Sequence, residues 1–372
     1  MHALDVAELL DSCINLIGGR DLSSTLLACA LVSRSWVSPA QARLFRAPYA
    51  TNPYFLRSDK NALRFCKTVT ENSHLIALVR DLSLIFMDRL TPKVFEKLCR
   101  LDFPRLDSLT IHLREELPCF DAIQWFAGTV TLRSLTLDAS CMYLLASAST
   151  TVEHLDIRCY EWLETATSSP SPPDVYLKSL RLSVLEVNRP VSAAASLKAS
   201  ALEPFGLSEL RALSVDGRIP VPWDQLPKSL IEILDITPGK SDLSNLSPYT
   251  TLSTLRLKAT YALVPAAEIL ATITSEHHIH TIVLYVQRGD PVPSGPRAIK
   301  TGWAEFDLAF SKLPTPHPAI EFQFDDSRPC LETLRTSLPM LVSRTGTELR
   351  VLPFDPYIDE TDLWWQDQIS KL

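Results

Sequence analysis

A short pattern, L-x-x-L-x-L with isoleucine or valine allowed, recurs through the middle of the chain and constrains its fold more than any other feature. It appears as VRDLSL at 79–84, LDSLTI at 106–111, LRSLTL at 132–137, VEHLDI at 152–157 and LKSLRL at 177–182. It continues as LRALSV at 210–215, IEILDI at 231–236, LSTLRL at 252–257 and IHTIVL at 279–284. The central apolar residues stand 20 to 33 residues apart, with a mean of 25. Side chains alternate along a strand, so each L-x-L turns two apolar residues to one side and the residue between them to the other. A unit this short cannot bury its apolar side alone, and stacked copies bury it between them. The expected fold class is α/β: an irregular solenoid with a parallel sheet on its concave face and helices or turns on its convex side.

Spacing and pattern resemble leucine-rich repeats, whose period is about 20–29 residues. The copies are degenerate. Three residues beyond the L-x-L, where the regular repeat carries asparagine, this chain has Ser140, Tyr160, Leu185, Arg218, Gly239, Thr260 and Gln287. No asparagine ladder is expected. Ser168-Ser169-Pro170-Ser171-Pro172-Pro173 reads as an extended insertion, and 189–205 is rich in alanine and serine. Proline-rich stretches at 288–297 and 313–318 are expected to end the array. EFQF at 321–324 and ELRVL at 348–352 read as further strands, and DLWWQDQISKL as a closing amphipathic helix anchored by Leu363, Trp364 and Ile369.

The residues between the paired leucines, and those directly after each pair, point away from the core. Asp156, Arg158, Arg181, Asp216, Asp235, Arg256, Lys258 and Tyr285 are therefore expected on a mixed-charge concave face. Such a face suits a protein target better than a phosphate backbone. No basic stripe appears along the chain, whose formal charge is −7, which argues against nucleic acid as a partner. No apolar run reaches the roughly 18 residues of a membrane span. Eight cysteines without a C-x-x-C pair fit free thiols in a reducing compartment, so cytoplasm or nucleus is the expected location.

The head differs from the rest. Leu9, Leu10, Cys13, Ile14 and Ile17 recur at helical spacing. Gly18-Gly19 ends that helix. The next helix, around Leu26-Leu27-Ala28-Cys29-Ala30-Leu31-Val32, has no polar face, and a helix apolar all round must be covered on every side. A turn is expected at Ser33–Trp36, with Pro39 in the first turn of a third helix.

These residues resemble the F-box. The match rests on Leu4, Glu8-Leu9-Leu10, Ile14, Ile17, Leu22, Leu26-Leu27, Leu31-Val32-Ser33-Arg34-Ser35-Trp36 and Leu44-Phe45, about an eighth of the chain. Asp5 stands where the family usually has proline. The resemblance implies a three-helix domain that docks on the adaptor subunit of a cullin–RING ubiquitin ligase. Leu4, Leu9, Leu10, Ile14, Leu27, Leu31, Val32 and Trp36 match the family's apolar contact positions. It further implies a substrate receptor, similar to families multiplied in fungi, with 3–47 as F-box, 48–77 as helical linker, 78–287 as repeat solenoid and 288–372 as cap. A scaffold that binds the adaptor without delivering anything for ubiquitination has the same anatomy.

No catalytic signature accompanies this. The phosphate-binding loop, the dinucleotide fingerprint, the nucleophile elbow and the zinc-protease motif are all missing from the sequence. His277-His278-x-His280 is the one metal-like cluster, and no nearby cysteine or spaced carboxylate completes it. The expectation is a non-enzymatic chain without cofactor or metal.

Overall fold

Each copy of the repeated pattern forms a strand that starts one residue before its central leucine. The computed structural model describes residues 9–10, 12–14, 17, 22–46, 59–86, 91–113, 126, 131–138, 152–159, 175–184, 205–215, 221, 223–238, 243, 245–259, 263–286, 303–324, 338–343, 349–351 and 360–372. Two compact units divide the chain, residues 1–175 and 176–372.

The first unit carries strands β1 (Asp81–Phe86), β2 (Ser108–Leu113), β3 (Ser134–Asp138) and β4 (His154–Cys159), paired in parallel in chain order. Leu82, Leu109, Leu135 and Leu155 lie side by side across these strands. The second unit carries β5 (Ser179–Val184), β6 (Ala212–Val215), β7 (Ile233–Ile236), β8 (Thr254–Ala259), β9 (Thr281–Val286), β10 (Ala319–Phe324) and β11 (Leu349–Val351), again parallel and in chain order. Here Leu180, Leu213, Leu234, Leu255, Ile282 and Ile320 form the row. Both members of every L-x-L pair are buried. Each contributes about 1.5–3 kcal/mol on leaving water, so a one-residue slip that turned a row outward would be costly.

The connections run behind the leucine rows. In the first unit, α5 (Pro92–Cys99) links β1 to β2 and buries Val94, Phe95, Leu98 and Cys99 at helical spacing. In the second, α6 (Val264–Leu270), α7 (Trp303–Ser311) and α8 (Pro339–Ser343) fill successive connections from β8 to β11. Trp303 lies 6.2 Å from the Phe322 ring, and Phe306 meets Phe310 edge-on at 4.4 Å. The buried Asp307 carboxylate accepts from the Met340 and Leu341 amides at 2.9 and 2.8 Å. That pairing satisfies two N–H groups at the start of α8 that the helix itself cannot.

Successive strands are joined at their entrances by a backbone device. The Arg80 carbonyl accepts from the amides of Asp107 and Ser108, the Asp107 carbonyl from Arg133 and Ser134, and the Arg133 carbonyl from Glu153 and His154. In the second unit the carbonyls of Lys178, Arg211, Glu232 and Ser253 each take two amides of the following turn in the same way. Opposite charges cross several rungs: Arg80 meets Asp107 at 3.2 Å, Arg133 meets Glu153 at 2.8 Å, and Arg211 grips Glu232 with two bonds of 2.8 Å. Being partly exposed, such pairs add up to about 1 kcal/mol each.

The sheet runs further than the proline-rich stretches suggest. β10 pairs with β9 and β11 with β10, so EFQF and the valine of ELRVL belong to the parallel array and not to a separate cap. Strand alternation and a leucine-like row (Ile320 beside Ile282) override the intervening prolines. The insertions at 168–173 and 288–297 lie outside the described residues, as does almost all of 189–205.

Tyr249 is buried in the second unit, and its hydroxyl has no hydrogen-bond partner among the described residues. Burial, aided by the Asp224 charge, pushes its pKa up to about 12. The folded form holds this proton more tightly than an unfolded tyrosine does. Its contribution is therefore intact below pH ~10 and lost as pH rises towards 12. Tyr249→Phe is expected to leave neutral-pH stability unchanged or slightly higher, because it removes an unpaired buried hydroxyl. It should also flatten this alkaline loss, read by denaturant unfolding at pH 8 and pH 11. An unchanged alkaline slope would exclude Tyr249 as its source.

Candidate functional site

The N-terminal helices present an apolar surface that stands exposed among the described residues. Helix α1 (Leu22–Val32) and α2 (Arg34–Arg46) are separated by Ser33 alone, and residues 9–10 and 12–14 are helical before them. The break is narrower than the turn expected at Ser33–Trp36. Pro39 also falls inside α2 instead of in its first turn. Proline removes the bond to the carbonyl four residues back, here Ser35, which is solvent-exposed, so water can satisfy that carbonyl.

Ile14, Leu26 and Ala40 form the core of this head, with Ile17, Cys29, Ala30, Trp36 and Leu44 packed around them. Leu26 and Ala30 are one turn apart, which sets the inner side of α1. The opposite side carries Leu27, 56% exposed, and Leu31, 88% exposed, also one turn apart, with Val32 beside them at 72%. Leu9, in the helical residues that precede α1, is 58% exposed. Isolated exposed leucines are ordinary, but large apolar groups concentrated on one short helix mark an interaction surface.

The structure thus sorts the eight expected adaptor contacts. Leu9, Leu27, Leu31 and Val32 are exposed, while Leu10 and Trp36 are half-buried. Ile14 is a correction: it is sealed in the head's own core and has no surface to offer a partner. The sequence could not separate it from Leu10 because both lie on the same apolar stripe. Leu4 lies outside the described residues.

The head is fixed to the first strands. The Arg46 carbonyl at the end of α2 accepts from the Arg80 amide at 2.9 Å, and Phe45 stacks on Phe65 of α3 (Asp59–Glu71) at 6.5 Å. Ala62, Phe65, Cys66 and Val69 form the buried side of α3, which the short α4 (Ser73–Ile76) follows, and burial pushes the Cys66 thiol up. Next to this joint, burial of Asp81 at the start of β1 raises its carboxyl, against the pull of Arg46 and Arg80.

The mixed-charge strand face is not the open surface that the alternation predicts. In the second unit Arg181, Asp235, Arg256, Lys258 and Tyr285 are all buried. Lys258 Nζ lies 3.0 Å from Asp235 Oδ2, which also accepts from Ser214 Oγ at 2.8 Å. Arg256 Nη2 donates to Gln323 Oε1 at 2.7 Å. These mutual pairs are what allow charges to be buried on a sheet face. Part of the cover comes from α9 (Glu360–Ile369): Trp365 and Ile369 pack on Ala212 and Ile233, and Trp364 and Leu372 flank them. Trp364 and Ile369 are anchors, as the sequence suggested, but Trp365 is the more deeply buried tryptophan, one helical turn from Ile369; the Leu363 side chain lies outside the described residues. In the first unit Asp156 is buried and its Oδ2 accepts from Arg158 Nε and Nη2 at 3.1 and 3.0 Å, while Arg158 stays partly exposed. Asp216 lies outside the described residues.

The histidine cluster divides in the same way. His277 is buried; its Nδ1 accepts from the Thr274 amide at 3.0 Å, so Nε2 carries the proton given to the Leu246 carbonyl at 2.9 Å. His278 and His280 are exposed on the far side of Ile279. Among the described residues no three His, Cys, Asp or Glu side chains come together as a metal site, and no helix is long and apolar enough to cross a membrane. No protein-family model, curated protein or solved structure matches this chain.

Proposed function

We propose that this chain is the substrate-recognition subunit of a cullin–RING ubiquitin ligase, with an F-box head that docks on the adaptor and a leucine-rich-repeat body that holds a target protein. The observation that carries the reading is the outer side of α1. Leu27, Leu31 and Val32 stand exposed on a helix whose inner side is already packed, and Leu31 and Val32 open the F-box-like LVSRSW. The ordered rows of leucines support a repeat receptor behind the head. The role is tethering. Grip on the adaptor at one end and on a target at the other raises the target's effective concentration near the ubiquitin-charged enzyme. Bond-making belongs to other subunits.

Co-expression with the adaptor followed by size-exclusion chromatography tests the reading. A stable complex of one chain with one adaptor is expected. A folded chain that elutes alone at micromolar concentration would remove the F-box from the account and leave a repeat protein with an apolar head.

A further inference from the structure

Beneath α9 the strand face of the second unit has the chemistry of a ligand slot. The Arg256 guanidinium lies 4.9 Å from the Tyr285 ring centre and 4.6 Å from that of Trp364, and it is tied to Gln323. Of these four residues, Arg256, Tyr285 and Gln323 come from the adjacent strands β8, β9 and β10, which hold them in fixed register. Trp364 alone comes from outside the sheet. A guanidinium flanked by an aromatic ring on a rigid sheet is prepared to receive a second flat aromatic group.

The cover itself has the character of a docked peptide. Among the described side chains its apolar grip consists of Trp365 and Ile369 on Ala212 and Ile233, with Trp364 and Leu372 at the margin. A polar link from Arg211 Nη1 to the Leu372 carbonyl is long, at 3.4 Å. Gln366, Asp367, Ser370 and Lys371 face solvent, and the Lys371–Asp367 pair lies within the segment itself. A few aromatic and aliphatic anchors at helical spacing on a preformed surface are how peptide helices bind. A helix of 10 residues is too short to persist alone in water, so α9 is ordered by the face it sits on.

We propose that α9 is an intramolecular ligand: it occupies a site on β6 to β10 that accepts a peptide segment presenting an aromatic side chain to Arg256, and such a segment binds when α9 leaves. Only the identification of that segment as part of a ubiquitination target rests on the receptor reading. Occupancy of the slot does not involve the adaptor, so its test can fail or succeed independently. Tethering gives α9 a high effective concentration, and an external segment must exceed it to bind.

The test uses the full chain with a protease recognition sequence inserted between Pro356 and Tyr357, cut after folding. The fragment 357–372 is expected to separate from the body on gel filtration at micromolar protein, with the body keeping its circular dichroism and cooperative melt. A labelled synthetic peptide of residues 357–372 should rebind the stripped body and ignore the uncut chain. Its Trp364→Ala form should bind roughly tenfold more weakly. A fragment that stays bound through nanomolar dilution, or a body that unfolds on losing it, makes α9 a fixed part of the core and overturns the proposal. Equal binding by the Trp364→Ala peptide, or binding to the uncut chain, overturns it as well. Hydrogen exchange on the uncut chain gives a second reading: the amides of 360–369 should exchange at least ~100-fold faster than those of 254–259, and equal protection sinks the idea.

Discussion

Replacing Leu31 and Val32 together by aspartate is expected to abolish adaptor binding while leaving the chain folded. Both side chains are among the most exposed apolar groups of the molecule, at 88% and 72%. Two charges there cost the free chain little, because they enter water and not the Ile14–Leu26–Ala40 core. In a complex the same positions would be buried. Loss of two apolar anchors costs about 2 kcal/mol or more each, and an unpaired carboxylate at the contact adds its desolvation. The sum exceeds about 4 kcal/mol, or roughly a thousandfold in affinity. Isothermal titration against purified adaptor measures it, with circular dichroism as the folding control. Leu26→Asp is the contrasting variant: Leu26 is buried on the inner side of the same helix, so the charge should unfold the head itself. Undiminished binding by a folded Leu31/Val32 double mutant would sink the proposed docking face.

The second large effect lies in the second unit. Lys258→Ala leaves Asp235 buried with its countercharge gone, and is expected to cost about 3–5 kcal/mol. The Ser214 hydroxyl still donates to the Asp235 carboxylate, but one neutral donor does not replace an ammonium at 3.0 Å. Asp235→Leu combined with Lys258→Met should recover most of the loss, since removing both charges also removes their desolvation. Urea unfolding of the two variants decides the matter. A Lys258→Ala cost below about 1 kcal/mol would mean that water reaches the pair, as at a surface bridge.

What the sequence displayed and what it hid follow one distinction. Leu109 and Ile111, or Leu255 and Leu257, announce their strand because alternation is local: two residues apart means one face. The spacing between copies then forces parallel pairing, and even EFQF, beyond a proline-rich stretch, betrays its strand by the same rule. The fate of the opposite face is not local. Arg256 and Lys258 have the charged, alternating look of solvated strand residues, yet Arg256 is covered by Trp364 from 108 positions away in the chain. Its partner Gln323 is equally distant from any pattern that could foretell it. In the head, LVSRSW pointed to the helix, but the inner or outer assignment of Ile14 against Leu27 required the packing. A half-turn of α1 about its axis would exchange core and contact without altering one letter.

The paired amides at the strand entrances have a consequence for how such a chain can vary. At seven strand entrances one carbonyl takes the two amides that follow in the next coil, and Arg80, Asp107, Arg133, Lys178, Arg211, Glu232 and Ser253 all serve; at the next, where Pro318 has no amide to give, the His280 carbonyl takes Ala319 alone. Proline apart, the joint is therefore indifferent to side-chain identity and to the length of chain that lies between successive joints. Coils of 21 and 33 residues close on the same fitting, as the Lys178-to-Arg211 and Arg211-to-Glu232 steps do. A gene encoding this architecture can gain, lose or swap whole coils, or swell one of them, without inventing a new seam.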